Sequence, residues 1–208
     1  QLIARVWTFD RDEQIDEAFF ARRIKAAVEY RHFLKLDDPK GGCRLINSEA
    51  DGLPGLVVDR YAGVLVIQIT SAGIEFHRDT IVKLLAEITG AASIYERSDV
   101  SVRAKEGLAE RSGLLYGAQP PNPVIIEENG ARFAVDVRHG QKSGFYFDQR
   151  CARAAVAAYA DGRTVLNAFS YTGAFAVSAL LAGAGHVINI DSSAPALKQA
   201  AHNLEMNK

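Results

Sequence analysis

The sequence predicts a small α+β domain that leads into the first part of an α/β, Rossmann-like domain. Two observations predict this. The stretch Val165-Leu-Asn-Ala-Phe-Ser-Tyr-Thr-Gly173-Ala-Phe, followed by His186-Val-Ile-Asn-Ile-Asp191, reads as buried strand, tight turn, helix, second buried strand and terminal acid. That order belongs to the nucleoside-binding half of a doubly wound fold. Upstream of it, strand–helix–strand patterning with turn signals between the runs reads as a separate α+β domain.

The elements follow in order. Residues 1–9 look like the tail of a strand. Asp16 to Leu36 is a helix, since Ala18, Phe19, Ile24, Ala27, Val28 and Phe33 recur at three- and four-residue spacings. Asp37-Asp-Pro-Lys-Gly-Gly42 is a turn. Arg44 to Asn47 and Leu56 to Asp59 read as strands broken by Asp51-Gly-Leu-Pro-Gly55, and Val64 to Thr70 is a β-branched strand. His77 to Ile88 is a helix ending near Gly90, and Ala92 to Arg97 is a strand. Val124 to Glu127 and Arg132 to Val137 form a hairpin across Glu128-Asn-Gly130. A helix over Ala152 to Ala160 closes at Asp161-Gly162, and the Rossmann-like unit begins at Arg163. An amphipathic helix from Ala194 to Asn207 completes the chain. The expected boundary between the two regions lies near Gln141 to Arg150.

Composition narrows the class. With 208 residues, 48% of them hydrophobic and 24% charged, the chain fits one or two soluble globular domains. No apolar run approaches the ~18 residues of a membrane span. Cys43 and Cys151 make neither a disulfide framework nor a metal spacing, so no metal is expected and a reducing, cytoplasmic setting is. A net charge of −1 carries no global nucleic-acid signature. Charge is nevertheless clustered: Arg22, Arg23, Lys25, Arg31 and Lys35 stand against Glu29 alone, and Arg138, Lys142, Arg150 and Arg153 against Asp148 alone. Such patches suit phosphates, or else a solvated helix face. Two parallel strands would leave a raw sheet edge. The opening Gln1-Leu-Ile has no initiator Met, so a fragment of a longer protein is expected.

Two constellations carry chemistry. Asp191 lies 18 positions after Gly173, near the spacing at which a carboxylate reaches ribose hydroxyls. A dinucleotide fingerprint needs several glycines for close approach to a pyrophosphate. Here only Gly173 is present, with Phe169 and Tyr171 in positions that would crowd phosphates. A nucleoside cofactor without phosphates fits better, and S-adenosylmethionine is the obvious one. The second constellation is Gly140-Gln-Lys-Ser-Gly-Phe-Tyr-Phe-Asp-Gln-Arg150, placed to cover the crevice beyond the strand ends. Gln149 and Arg150 suit a carboxylate, and the aromatics, Phe145 among them, suit an adenine or a sulfonium.

These motifs support a specific resemblance. GQKSGFYFDQR is similar to the GQKTGFFLDQR signature of the 23S rRNA cytosine-5 methyltransferases of the RlmI/RlmO type. The run from Arg44 to Tyr61 resembles that family's RLVNGEADGLPGLIVDRY block. VLNAFSYTGAFAV resembles its LDxFxYTGGF motif, and Asp191-Ser-Ser with Ala196, Leu197 and Asn203 its DxSxxAL…N continuation. The resemblance spans the whole chain. It implies the end of an N-terminal PUA-like domain with a linking helix at 1–42. It implies a central α+β domain of EEHEE type at 43–140, and the N-terminal part of a class I methyltransferase domain at 141–208.

It also implies residue roles. Asn167, Phe169, Ser170, Tyr171, Thr172 and Gly173 would cradle the methionine end of S-adenosylmethionine. Asp191, with Ser192, would hold the ribose. Lys142, Ser143, Phe145, Asp148, Gln149 and Arg150 would cover the cofactor. Arg22, Arg23, Lys25 and Arg31 would help hold large-subunit rRNA. Departures are Ser143 for the usual Thr, Asn167 for Asp, and Ala174 for the second glycine. Asn167 keeps a hydrogen bond to the methionine amino group but loses the ion pair.

Carbon-5 of cytosine is a poor nucleophile until a thiolate adds at carbon-6. Neither Cys43 nor Cys151 suits that role, so no catalytic residue is assigned and this chain alone is expected to be inactive. Two other readings stand: a related guanine-N7 rRNA methyltransferase, which needs no such cysteine, and a non-catalytic RNA-binding or assembly module. The oligomeric state is open, a homodimer included.

Overall fold

A computed structural model describes residues 4–208, which divide into two compact units, one ending at Val124 and the other spanning Ile125–Lys208. The division falls well before the expected boundary near Gln141, because the hairpin read from the sequence folds with the second unit.

The first unit holds helix α1 (Glu17–Phe33) and strands β1 (Gly42–Asn47), β2 (Leu56–Tyr61) and β3 (Val64–Ile69). Helices α2 (Ala72–Phe76) and α3 (Arg78–Thr89) follow, then β4 (Ser93–Ser98) and β5 (Arg111–Gly117). The sheet runs β1-β2-β3-β4-β5, antiparallel except for the parallel pair β3–β4, whose crossover is α2–α3. Five strands with the helices after the third differ from the expected strand–strand–helix–strand–strand order. β5 is the strand that sequence reading missed. It lies at a sheet edge, its register shifts between Leu114 and Tyr116, and its burial does not alternate.

The N-cap of α1 is Asp16, whose Oδ1 accepts the Phe19 N–H at 2.9 Å. Its buried stripe is Phe20, Ile24, Ala27 and Arg31, at spacings of four, three and four. The expected strand at residues 1–9 is absent from the described part: residues 4–8 have no regular structure, and 1–3 lie outside the described residues. Trp7 anchors this segment, its ring edge-on to Phe20 at 5.2 Å and 6.0 Å from His77.

The second unit begins with hairpin β6 (Val124–Glu128) and β7 (Ala131–Val135). Its two-residue turn, Asn129-Gly130, has φ of 50° and 79°, the positive pair that a tight hairpin requires. After it come α4 (Arg150–Ala157), β8 (Thr164–Ala168), α5 (Ala174–Leu181), β9 (His186–Ile190) and α6 (Ala194–Glu205). β8 and β9 pair in parallel with Asn167 opposite Asn189. Val165 and Val187 pack on a small core of Ala160, Ala179 and Ala184. Leu166, Ile188 and Ile190 alternate with them and are exposed.

Helix α6 meets the edge of β7 through a row of amide side chains. Gln199 Nε2 donates to Ala134 O (3.1 Å), and Ala134 N–H donates to Asn203 Oδ1 (2.8 Å). Asn207 accepts from Arg132 N–H (2.8 Å) and donates to Arg132 O (2.7 Å). The spacing of four residues keeps all three amides on one helix face. They stand in for a neighbouring strand and leave these β7 groups paired. Among the described residues no helix is long and apolar enough to cross a membrane, and no His, Cys, Asp and Glu cluster could hold a metal.

Candidate functional site

The site lies in the second unit, at the carboxyl ends of β8 and β9. The chain leaves β8 through Phe169 (φ 57°), Ser170, Tyr171 (φ 46°) and Thr172 to Gly173 (φ 77°), which caps α5. Two aromatic residues in the left-handed region within three positions mark a strained turn. Gly173 is required on a second count: a Cβ there would meet the Ala200 Cβ at 2.8 Å.

Asp191 holds the turn in this shape. Its Oδ2 accepts the Tyr171 N–H at 2.7 Å and its Oδ1 the Ser193 N–H at 2.8 Å. These bonds, that from Ser193 first, hold its carboxyl below the usual aspartate value. Ser170 N–H adds a bond to Ile190 O at 3.0 Å. From the α6 side, Asn203 donates to Thr172 O at 2.9 Å.

The segment from Gly140 to Arg150 forms the other wall. Phe145 is buried against Phe133 at 5.2 Å, and Tyr146 is edge-on to Tyr171 at 5.5 Å. Behind it, Glu128 binds Arg153 through both oxygens (2.6 and 2.8 Å) and Arg150 Nε at 3.1 Å. Arg153 is 1% exposed, lies 4.7 Å over the Phe145 ring, and donates to Tyr146 O at 3.0 Å.

Between the walls is a pocket of 460 Å³, within the range of about 300–1,000 Å³ typical of small-molecule sites. Of the residues expected at the cofactor, it is lined by Phe145, Gln149, Phe169, Ser170, Tyr171, Thr172, Asp191 and Ser192. Lys142, Ser143, Asp148, Arg150, Asn167 and Gly173 do not line it. Lys142 and Asp148 are exposed. Arg150 is turned to Glu128 rather than to a ligand carboxylate, and Asn167 Nδ2 donates to Asn189 at 2.8 Å.

Sequence reading missed Gln141, Arg153, Ala174 and Phe175 as lining residues, and took in Tyr146 only as one of the three aromatics of its segment. Arg153 had a signal in the basic cluster, but its partner Glu128 is 25 positions away.

The pocket's chemistry suits a nucleoside better than a phosphate. Arg153 is the one cation among the lining residues, and it is committed to Glu128. Asp191 presents a carboxylate. Ser170 Oγ is buried and has no hydrogen-bond partner among the described residues, a group that awaits a polar ligand atom.

The expected RNA-contacting residues separate in the first unit. Arg22 is exposed and paired with Glu13 (2.5 Å), the Arg23 guanidinium lies 5.2 Å over Phe19, and Lys25 is exposed. Arg31 is not part of an exposed patch. It is buried, donates to Asp51 through both nitrogens (2.5 and 2.7 Å), and donates Nε to Arg44 O at 3.0 Å.

Comparison with known proteins adds to this geometry. Residues 51–208 match the family described as S-adenosylmethionine-dependent methyltransferase. Over its whole length the chain is 54% identical to "Ribosomal RNA large subunit methyltransferase I" of Aeromonas hydrophila and 50% identical to that of Yersinia pestis. It spans about half the length of these curated relatives (52%). Among solved structures it resembles a putative methyltransferase from Streptococcus mutans (TM-score 0.81, 26% identity, 95% of this chain and 50% of that one). A putative methyltransferase complexed with SAH, SMU.776, gives a TM-score of 0.82 at 26% identity, with the same shares covered.

Proposed function

As this chain belongs to the S-adenosylmethionine-dependent methyltransferase family, we propose that its pocket binds S-adenosylmethionine and that the protein methylates large-subunit ribosomal RNA at carbon-5 of a cytosine. The observation that carries the cofactor assignment is Asp191. It closes β9, fixes the strained turn after β8 through the Tyr171 N–H, and faces the pocket. Its depressed pKa keeps it ionised as an acceptor for two ribose hydroxyls. Ser170 and Thr172 then serve the methionine end, and the orphaned Ser170 hydroxyl gains a partner. Phe145 and Tyr146 supply apolar surface, and Gln149 a neutral amide. Asn167 bonds Asn189 across the β8–β9 pair and does not line the pocket.

When bound, S-adenosylmethionine supplies an electrophilic methyl group on a sulfonium. The residues of this chain bind and orient it. The thiolate that cytosine chemistry needs is neither Cys43, buried in the first unit, nor Cys151, which does not line the pocket. The RNA substrate rests on the names of the relatives at 50–54% identity. It agrees with a cytoplasmic setting for a chain whose Cys43 and Cys151 are not joined in a disulfide. Arg22, Arg23 and Lys25 remain the proposed RNA contacts of the first unit.

The test is calorimetry of S-adenosylhomocysteine with the full-length protein. Asp191→Ala, with an unchanged circular dichroism spectrum, is expected to weaken binding at least tenfold. Unchanged affinity would overturn the cofactor assignment.

A further inference from the structure

Tyr171 is bound at both ends. Its N–H is taken by Asp191 Oδ2 at 2.7 Å. Its hydroxyl accepts the Gln141 N–H at 3.0 Å and donates to Gly144 O at 3.2 Å. The turn it meets is closed by Gly144 N–H on Gln141 O at 2.9 Å, and Tyr146 adds a hydroxyl bond to Gln141 Oε1 at 3.2 Å. The fit is close. A Cβ on Gly140 would stand 2.4 Å from Asp136 O and 3.2 Å from the Tyr171 hydroxyl, and one on Gly144 would stand 2.6 Å from Val135. Tyr171 also keeps a left-handed φ of 46°, a cost for an aromatic residue that only its surroundings can sustain.

We propose that Tyr171 is a positioning residue whose hydroxyl fixes the Gln141–Gly144 turn to the turn after β8, so that one side chain sets both walls of the pocket. The proposal rests on the cofactor reading above and goes beyond it. Tyr171 then matters less for what its ring touches than for joining Asp191, on one wall, to Gln141 and Tyr146, on the other. Neither wall is held to the other by a covalent neighbour, since Gln141 and Tyr171 are 30 positions apart. Loss of the hydroxyl would loosen the Gln141–Gly144 turn while leaving the ring, the Tyr146 contact and the Asp191 bond in place.

The test is Tyr171→Phe in the full-length protein, with S-adenosylhomocysteine as the probe. Two neutral hydrogen bonds of ordinary strength correspond to a Kd weaker by about 5- to 150-fold, with calorimetric stoichiometry unchanged. Partial unfolding would instead lower the stoichiometry and leave Kd alone. In the free protein, amide exchange at Gln141 and Gly144 should quicken at least fivefold, while Leu166 and Val187 in the strands stay protected. Tyr146→Phe, which keeps both Tyr171 hydroxyl bonds, should leave the Gln141 amide protected. Unchanged exchange at Gln141 in Tyr171→Phe would overturn the proposal whether or not the pocket takes this cofactor. If Asp191→Ala binds normally, the cofactor reading fails by itself. If Asp191→Ala weakens binding and Tyr171→Phe does not, the positioning role fails and the cofactor reading survives.

Discussion

Asn203 and Asn207 make the same kind of bond to the same strand, and they differ in burial. Asn203 is fully buried, with its Oδ1 on Ala134 N–H and its Nδ2 on Thr172 O. Asn207 is half-buried, and its bonds to Arg132 lie at the surface, where water can replace them. Asn203→Ala therefore strands one buried N–H and one carbonyl, each costing about 1–3 kcal/mol, so a loss of about 2–6 kcal/mol is expected. Asn207→Ala should cost less than about 1 kcal/mol. Urea unfolding followed by circular dichroism measures both, and an unchanged slope with denaturant confirms that the native state is what changed. Equal losses in the two variants would refute the argument that burial, not bond count, decides the cost.

Three further outcomes are expected. Arg31→Leu leaves the Asp51 carboxylate buried without its partner and should cost about 3–5 kcal/mol in urea unfolding; adding Asp51→Asn should recover part of it. Arg22, Arg23 and Lys25 changed together to Ala should flatten the log–log salt dependence of rRNA binding by roughly 2–3, and an identical slope would move the RNA contact elsewhere. Burial lowers the His77 pKa, so the unfolded state takes the proton first. The stability this group contributes is complete above the ordinary histidine value and is lost as pH falls from there through the folded value. His77→Gln should then flatten the fall in urea midpoint between pH 7 and 5, and a parallel profile would refute it.

The strands and helices were legible where one face is buried. β3 is mostly β-branched, and α1 shows its stripe, so both were read within a few residues. β5 was not legible, because an edge strand needs no strong alternation. Arg31 was misread because charge was counted without position. It continues the stripe of Phe20, Ile24 and Ala27, and that spacing was the available signal of burial. At the site, Asp191 and the turn after β8 were legible from spacing. Arg153 was not, because its role depends on Glu128, on a hairpin that sequence reading assigned to the other domain.

That carboxylate bears on where the cofactor module begins. Glu128 neutralises Arg153, which is almost wholly enclosed. A version of the second unit begun at Gln141 would keep every residue of the pocket lining and still lose Glu128. A guanidinium would then be sealed beneath Phe145 without its counter-ion, a defect of about 3–5 kcal/mol. α6 would face water where it now faces β7. A piece that keeps this ion pair and the β7 edge therefore starts no later than Val124, so a stretch outside the pocket lining sets the minimum size of the unit.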